Sequence, residues 1–192
     1  MGTRGAIIFT IDGHSVIQYN HYDSYPTGLG KSISKEWPVL LKRWPMDVLR
    51  ERVRELRQVS EDGDPPSEEA KHFLEKYSNL GVSEKSLDDW YCLLHRCQGK
   101  LIRTLESGHI MGDMDSMVND GTAFSFIYVL DFDAECLEVY EGFQRREHVL
   151  GWRGAAMPDA RGFWPPALIS STPFGSIESI DWEAMEELTR ED

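Results

Sequence analysis

Two stretches of the chain alternate in the manner of β-strands, and a long segment with helical periodicity separates them. Residues 5–11 (GAIIFTI) and 14–19 (HSVIQY) flank Asp12-Gly13. That dipeptide suits a two-residue type I′ turn, whose central positions both need positive φ. Such a turn fixes the register. Ile11 falls opposite His14, Phe9 opposite Val16 and Ile7 opposite Gln18. On the other face Ile8 meets Ile17, and Ala6 meets Tyr19. Both faces carry large apolar groups, so the hairpin is expected inside a sheet covered on both sides. A second hairpin is expected from strands at 122–130 and 136–140 about a turn at 131–135, with a further strand at 167–171.

Between the hairpins the apolar spacing becomes that of helices. Residues 32–44 predict a helix interrupted near Pro38, and Pro45 suits the first position of the next, whose stripe is Val48, Leu49, Val53 and Leu56. Residues 61–66 read as an exposed linker. Ser67 ahead of Glu68 and Glu69 predicts a capped helix running to about 78. Ser86-Leu87-Asp88-Asp89 resembles a capping box before the pattern Leu87, Trp90, Tyr91, Leu94, Leu101 and Leu105, which Gly99 kinks or splits. Residues 107–120 read as a loop, and Asp181 is placed to cap a terminal helix at 182–188. The expected class is α+β. An antiparallel sheet is built from an N-terminal hairpin (about 4–22), a C-terminal hairpin (about 122–141) and a further strand. A helical middle (about 32–106) and a C-terminal helix cover it, in one domain (1–192) with a helical insertion at about 31–120.

Composition narrows the function. The 192 residues carry a formal net charge of −13, which argues against general nucleic-acid binding, since that affinity rests on clustered Lys and Arg. The arginines between Arg43 and Arg57 are interleaved with acids and read as a solvated helix face. No apolar run approaches a membrane span. Three cysteines, Cys92, Cys97 and Cys136, follow no paired spacing, so a reducing compartment, the cytoplasm, is expected. The histidines lack zinc-ligand spacing and Asp113, Asp115 and Asp120 lack a calcium-loop pattern, so neither metal nor cofactor is expected.

One segment differs from ordinary loop. Tyr19-Asn20-His21-Tyr22-Asp23-Ser24-Tyr25-Pro26-Thr27-Gly28-Leu29-Gly30 gathers three tyrosines, a histidine, a carboxylate, an amide and two hydroxyl residues at one strand end and turn. Tyrosine offers stacking area with a polar tip, and histidine with aspartate can orient or share a proton. Continuing the hairpin register puts Arg4 opposite His21 and Thr3 opposite Tyr22. The segment reads equally as a tight, hydrogen-bonded turn. Trp152 and Trp164, among glycines and prolines, are a candidate aromatic recognition loop, or a small core of their own.

Met1-Gly2-Thr3-Arg4-Gly5, the hairpin, and the segment from Tyr19 to Gly30 together resemble the opening of an uncharacterised family associated with fungal genomes, bacteria and their phages. The stretch Phe126-Ile127-Tyr128-Val129-Leu130-Asp131-Phe132-Asp133, followed by Leu137-Glu138-Val139-Tyr140, is similar to that family's later hairpin. The resemblance implies no established activity. A threonine near the start of a two-sided hairpin is also similar to the N-terminal-nucleophile hydrolases. There Thr3, once freed of Met1 and Gly2, would attack an amide with its own amine as base, and Arg4, Asp23 and Lys31 would support it.

Three readings follow. The first is a binding domain for a protein partner or a small polar ligand, using Arg4, Tyr19, Asn20, Tyr22, Ser24 and Tyr25, with Trp152 and Trp164 beside them. The second is an amide hydrolase with Thr3, His21 and Asp23 in reacting roles. The third is an acidic structural or host-protein-inhibiting protein.

Overall fold

The computed structural model describes residues 3–60, 63–112, 120–147 and 158–189. The class is α+β. The N-terminal hairpin pairs β1 (Gly5–Ile11) with β2 (His14–Asn20) in the register the turn dictates, from Ile11–His14 to Gly5–Asn20. Asp12 (φ 51°) and Gly13 (φ 73°) take the left-handed conformations of the two-residue turn. Every residue of β1 is buried, as its two-sided apolar pattern requires.

A helical segment follows. α1 (Lys31–Arg43) and α2 (Met46–Arg54) lead into a three-residue strand β3 (Arg57–Val59). α3 (Glu68–Leu74) and α4 (Trp90–Leu94) each continue into a 3₁₀ turn, and α5 (Leu101–Ser107) ends at β4 (His109–Met111). The chain then forms β5 (Phe126–Asp131), β6 (Cys136–Glu141), β7 (Ala167–Pro173) and the terminal α6 (Trp182–Leu188). The main sheet has the order β2-β1-β5-β6-β7.

The sheet departs from the antiparallel expectation at one junction, where β1 and β5 run parallel, so it is mixed. Parallel neighbours need a long crossover, and the whole helical segment supplies one. Two further differences are local. Pro38 lies inside an unbroken α1, because Ile33, Trp37 and Leu40 bury a common face that holds the helix together. β3 and β4, too short to leave an alternation signal, pair in parallel as a separate two-stranded sheet. Gly99 does split the long pattern, with φ at +64° between α4 and α5. Asp89, rather than Ser86, caps α4, accepting from the Tyr91 N–H at 2.8 Å. Ser67 and Asp181 cap their helices as expected.

The main core lies between one sheet face and the helices. It joins Ile7, Phe9, Tyr128, Leu130 and Val139 to Trp37, Leu49, Leu101 and Trp182. A second cluster, including Ala6, Ile8, Ile17, Phe124, Ile127 and Tyr140, occupies the other face. The three cysteines are free and buried. Burial pushes the Cys97 thiol up to about 12, the behaviour of an inert packing group. No helix among the described residues is long and apolar enough to cross a membrane.

Candidate functional site

The segment 19–30 sits where β2 ends, at the margin of the sheet opposite the hairpin tip, and its side chains divide into an inner and an outer set. Asn20 organises the inner set. Its amide donates to the Tyr22 carbonyl and, at 2.8 Å, to the Ser24 hydroxyl. These bonds curl the chain, with Asp23 at φ +53°. The strand ladder therefore stops at Gly5–Asn20, short of the extrapolated Arg4–His21 and Thr3–Tyr22 pairs. The Ser24 N–H instead reaches the Thr3 carbonyl at 3.1 Å. Ser24 is fully buried, and its carbonyl accepts from the Tyr128 hydroxyl at 2.9 Å. Burial holds that phenol well above its ordinary pKa.

A tight helical turn, Pro26–Gly30, runs directly into α1. A Cβ at Gly28 would stand 2.2 Å from the Asp23 carbonyl oxygen, so only glycine fits. α6 braces this turn from outside. Trp182 lies on Gly30, where a Cβ would come within 2.5 Å of the ring, and its indole N–H donates to Ser34 at 2.8 Å. The buried Glu186 carboxylate accepts from the Thr27 N–H at 3.0 Å and from the Thr27 hydroxyl.

The outer set forms two groups. In the first, the Tyr19 hydroxyl meets His21 Nδ1 at 2.6 Å. The Tyr22 ring stands edge-on to the His21 ring, with centroids 4.3 Å apart. Tyr22 is 62% exposed. Burial pushes the Tyr19 hydroxyl pKa up, against the opposing charge of Arg4. Tyr91 and His95, ring centroids 5.5 Å apart, extend this group from α4 and the turn after it. Burial lowers the pKa of His95, and the charges of Arg96 and His21 lower it further. In the second group the Tyr25 hydroxyl donates to Asp23 Oδ1 at 2.9 Å. That bond raises the Tyr25 pKa, while a hydrogen bond from the Thr3 side chain works against it.

The structure thus brings Tyr19, His21 and Tyr22 together, with the Arg4 charge acting on Tyr19, and separately pairs Asp23 with Tyr25, while the Thr3 carbonyl accepts from Ser24. His21 is bonded to Tyr19 and Asp23 to Tyr25, so the histidine and the aspartate are held in different pairs. Asn20 and Ser24 are buried bracing groups. Trp164 lies elsewhere on the same margin, its N–H donating to the Gln144 carbonyl at 2.7 Å. Trp152 lies outside the described residues. Tyr91 and His95 are not among the sequence candidates; their i,i+4 spacing within the expected helix is the available signal.

Among the described residues no group of three or more His, Cys, Asp or Glu side chains could hold a metal ion. Asp120 instead accepts from Thr122 and pairs with Arg161 at 2.7 Å. Compared with protein-family models, curated proteins and solved structures, the chain shows no match.

Proposed function

We propose that the protein is a binding domain that engages a protein partner through the outer Tyr19–His21–Tyr22 group, with Arg4, Tyr91 and His95 around it. The observation that carries this reading is Tyr22. It is 62% exposed although the turn beneath it is buried and hydrogen-bonded. A rigid base that presents a large aromatic side chain to solvent is the arrangement of an interface anchor, because little conformational entropy is lost on binding. Tyr and Arg are also the residue types that dominate such anchors. Three buried free thiols fit a reducing compartment such as the cytoplasm.

The test compares wild-type chain with Tyr22→Ala and His21→Ala in quantitative affinity capture, followed by direct titration of the captured protein. A partner whose affinity falls at least tenfold in Tyr22→Ala, with folding unchanged, supports the reading. Equal binding by both forms rejects it.

One observation favours a second reading, amide hydrolysis at Thr3. The Thr3 carbonyl accepts from the Ser24 N–H, and the Thr3 side chain lowers the pKa of the Tyr25 hydroxyl that donates to Asp23, a neighbourhood that could support a threonine nucleophile. That mechanism needs the Thr3 amine free. Intact mass of protein from its native source decides it: retention of Met1 and Gly2 eliminates the hydrolase.

A further inference from the structure

A second site lies on the same sheet margin, beyond β6. Glu141, Gly142, Phe143, Gln144, Arg145, Arg146 and Thr189, the last at the end of α6, line a cleft of about 350 Å³. That volume is within the range of small-molecule sites. Phe143 is 48% exposed and takes φ +60°, a conformation bulky residues rarely adopt. The Phe143 N–H to Gly121 carbonyl bond, 2.6 Å, helps hold it there. Arg145 lies over the Phe163 ring, 4.5 Å from its centroid, and Phe163 meets Phe143 edge-on at 6.1 Å.

The arginines are the informative feature. Arg43, Arg50, Arg54 and Arg161 each pair with a carboxylate, whereas among the described residues Arg57 and Arg96 stand singly without one. Arg145 and Arg146 are exposed, and among the described residues neither has such a partner. The nearest acid in the cleft, Glu141, accepts from the Gln144 amide at 3.4 Å. Two adjacent guanidinium groups beside an exposed aromatic ring can chelate an anionic head and cover an apolar body. The charge of −13 on the whole chain repels polyanions at long range, whereas a small anion feels mainly the groups within a Debye length.

We infer that this cleft binds a small organic anion, a phosphate monoester with an aromatic or apolar body, held by Arg145 and Arg146 and covered by Phe143. The inference does not depend on Tyr22.

Isothermal titration of the full chain at physiological ionic strength tests it with phenyl phosphate, inorganic phosphate and benzoate as probes. Phenyl phosphate is expected to bind more tightly than either of the others. Arg145→Ala and Arg146→Ala should each weaken it about tenfold, the value of one charge-assisted pair. Phe143→Ala should weaken phenyl phosphate and leave inorganic phosphate unchanged. Should Arg145→Ala disturb folding through Phe163, Arg146→Ala alone carries the test, because its side chain is exposed at the rim. Absence of phenyl phosphate binding at millimolar concentration, or equal binding by wild type and Arg146→Ala, overturns the site. Equal affinity for inorganic and phenyl phosphate overturns the assignment to an organic body.

Discussion

The two ends of the main sheet are finished in opposite ways. At the hairpin tip, charges are spent on bracing. The Asp133 carboxylate accepts from the Asp12 and Gly13 N–H groups at 2.8 and 2.9 Å, tying one hairpin turn to the other. Arg54 grips Asp12 from α2, and Arg50 pairs with Glu135. At the far margin the bracing is largely internal, through Asn20, Ser24, Tyr128 and Glu186, and several outward side chains are exposed. Tyr22, Phe143, Arg145 and Arg146 all belong to that end. A surface whose polar groups are already paired has little to offer a ligand, since binding would have to break those pairs first. The contrast therefore places rigidity at the tip and supports the margin as the proposed surface for recognition.

The comparison can be broken most severely beneath the margin. Trp182→Ala removes a buried ring that rests on Gly30 and bonds Ser34, and is expected to cost about 3–5 kcal/mol, read by chemical denaturation. A loss below 1 kcal/mol would mean that α6 is not the brace. Asn20→Ala strands the Ser24 hydroxyl and the Tyr22 carbonyl, and should cost about 1–3 kcal/mol. A variant that instead lost binding at full stability would move Asn20 into the recognition surface. At the tip, Asp133→Ala is expected to cost about 1 kcal/mol, because its two acceptor bonds are solvent-exposed, with no change in binding at the other end.

Acid pH sharpens the same contrast. The hydrogen bond from Arg54 holds the Asp12 carboxyl below its usual range. A carboxylate with a depressed folded pKa adds stability above its unfolded value, about 3.9, and loses it as pH falls through the folded one. The gap in thermal midpoint between wild type and Asp12→Asn should be present at neutral pH and close below about pH 4. A gap that persists in strong acid would assign the effect to shape rather than charge. The smallest stability effect is expected at Tyr22→Ala, within about 0.5 kcal/mol, although its effect on binding should be the largest of the set.

Much of this architecture is legible in the sequence where local rules suffice. Asp12-Gly13 dictates a turn, the turn dictates a register, and the two-sided apolar pattern of 5–11 announces a fully buried strand. Asp181 before Trp182 marks a helix start in the same local way. What escapes local reading depends on distant partners. The parallel meeting of β1 with β5 is decided by a crossover that spans the helical segment. The segment 19–30 advertises chemistry, but its division into braced and exposed faces rests on Tyr128 and Glu186, far away in the chain. Phe143-Gln144-Arg145-Arg146 carries no local signal, and only the fold shows that among the described residues no carboxylate pairs with its arginines.

The parallel neighbour of β1 has a consequence for how the chain is made. Synthesis proceeds from the N-terminus, so the first hairpin leaves the ribosome well before the strand that completes its inner edge. During that interval a largely apolar strand has an unsatisfied side, the situation in which nascent chains associate with one another or recruit chaperones. Premature termination anywhere in the helical segment is accordingly expected to yield insoluble fragments, whereas chains extending past Asp131 gain the partner that shields the strand.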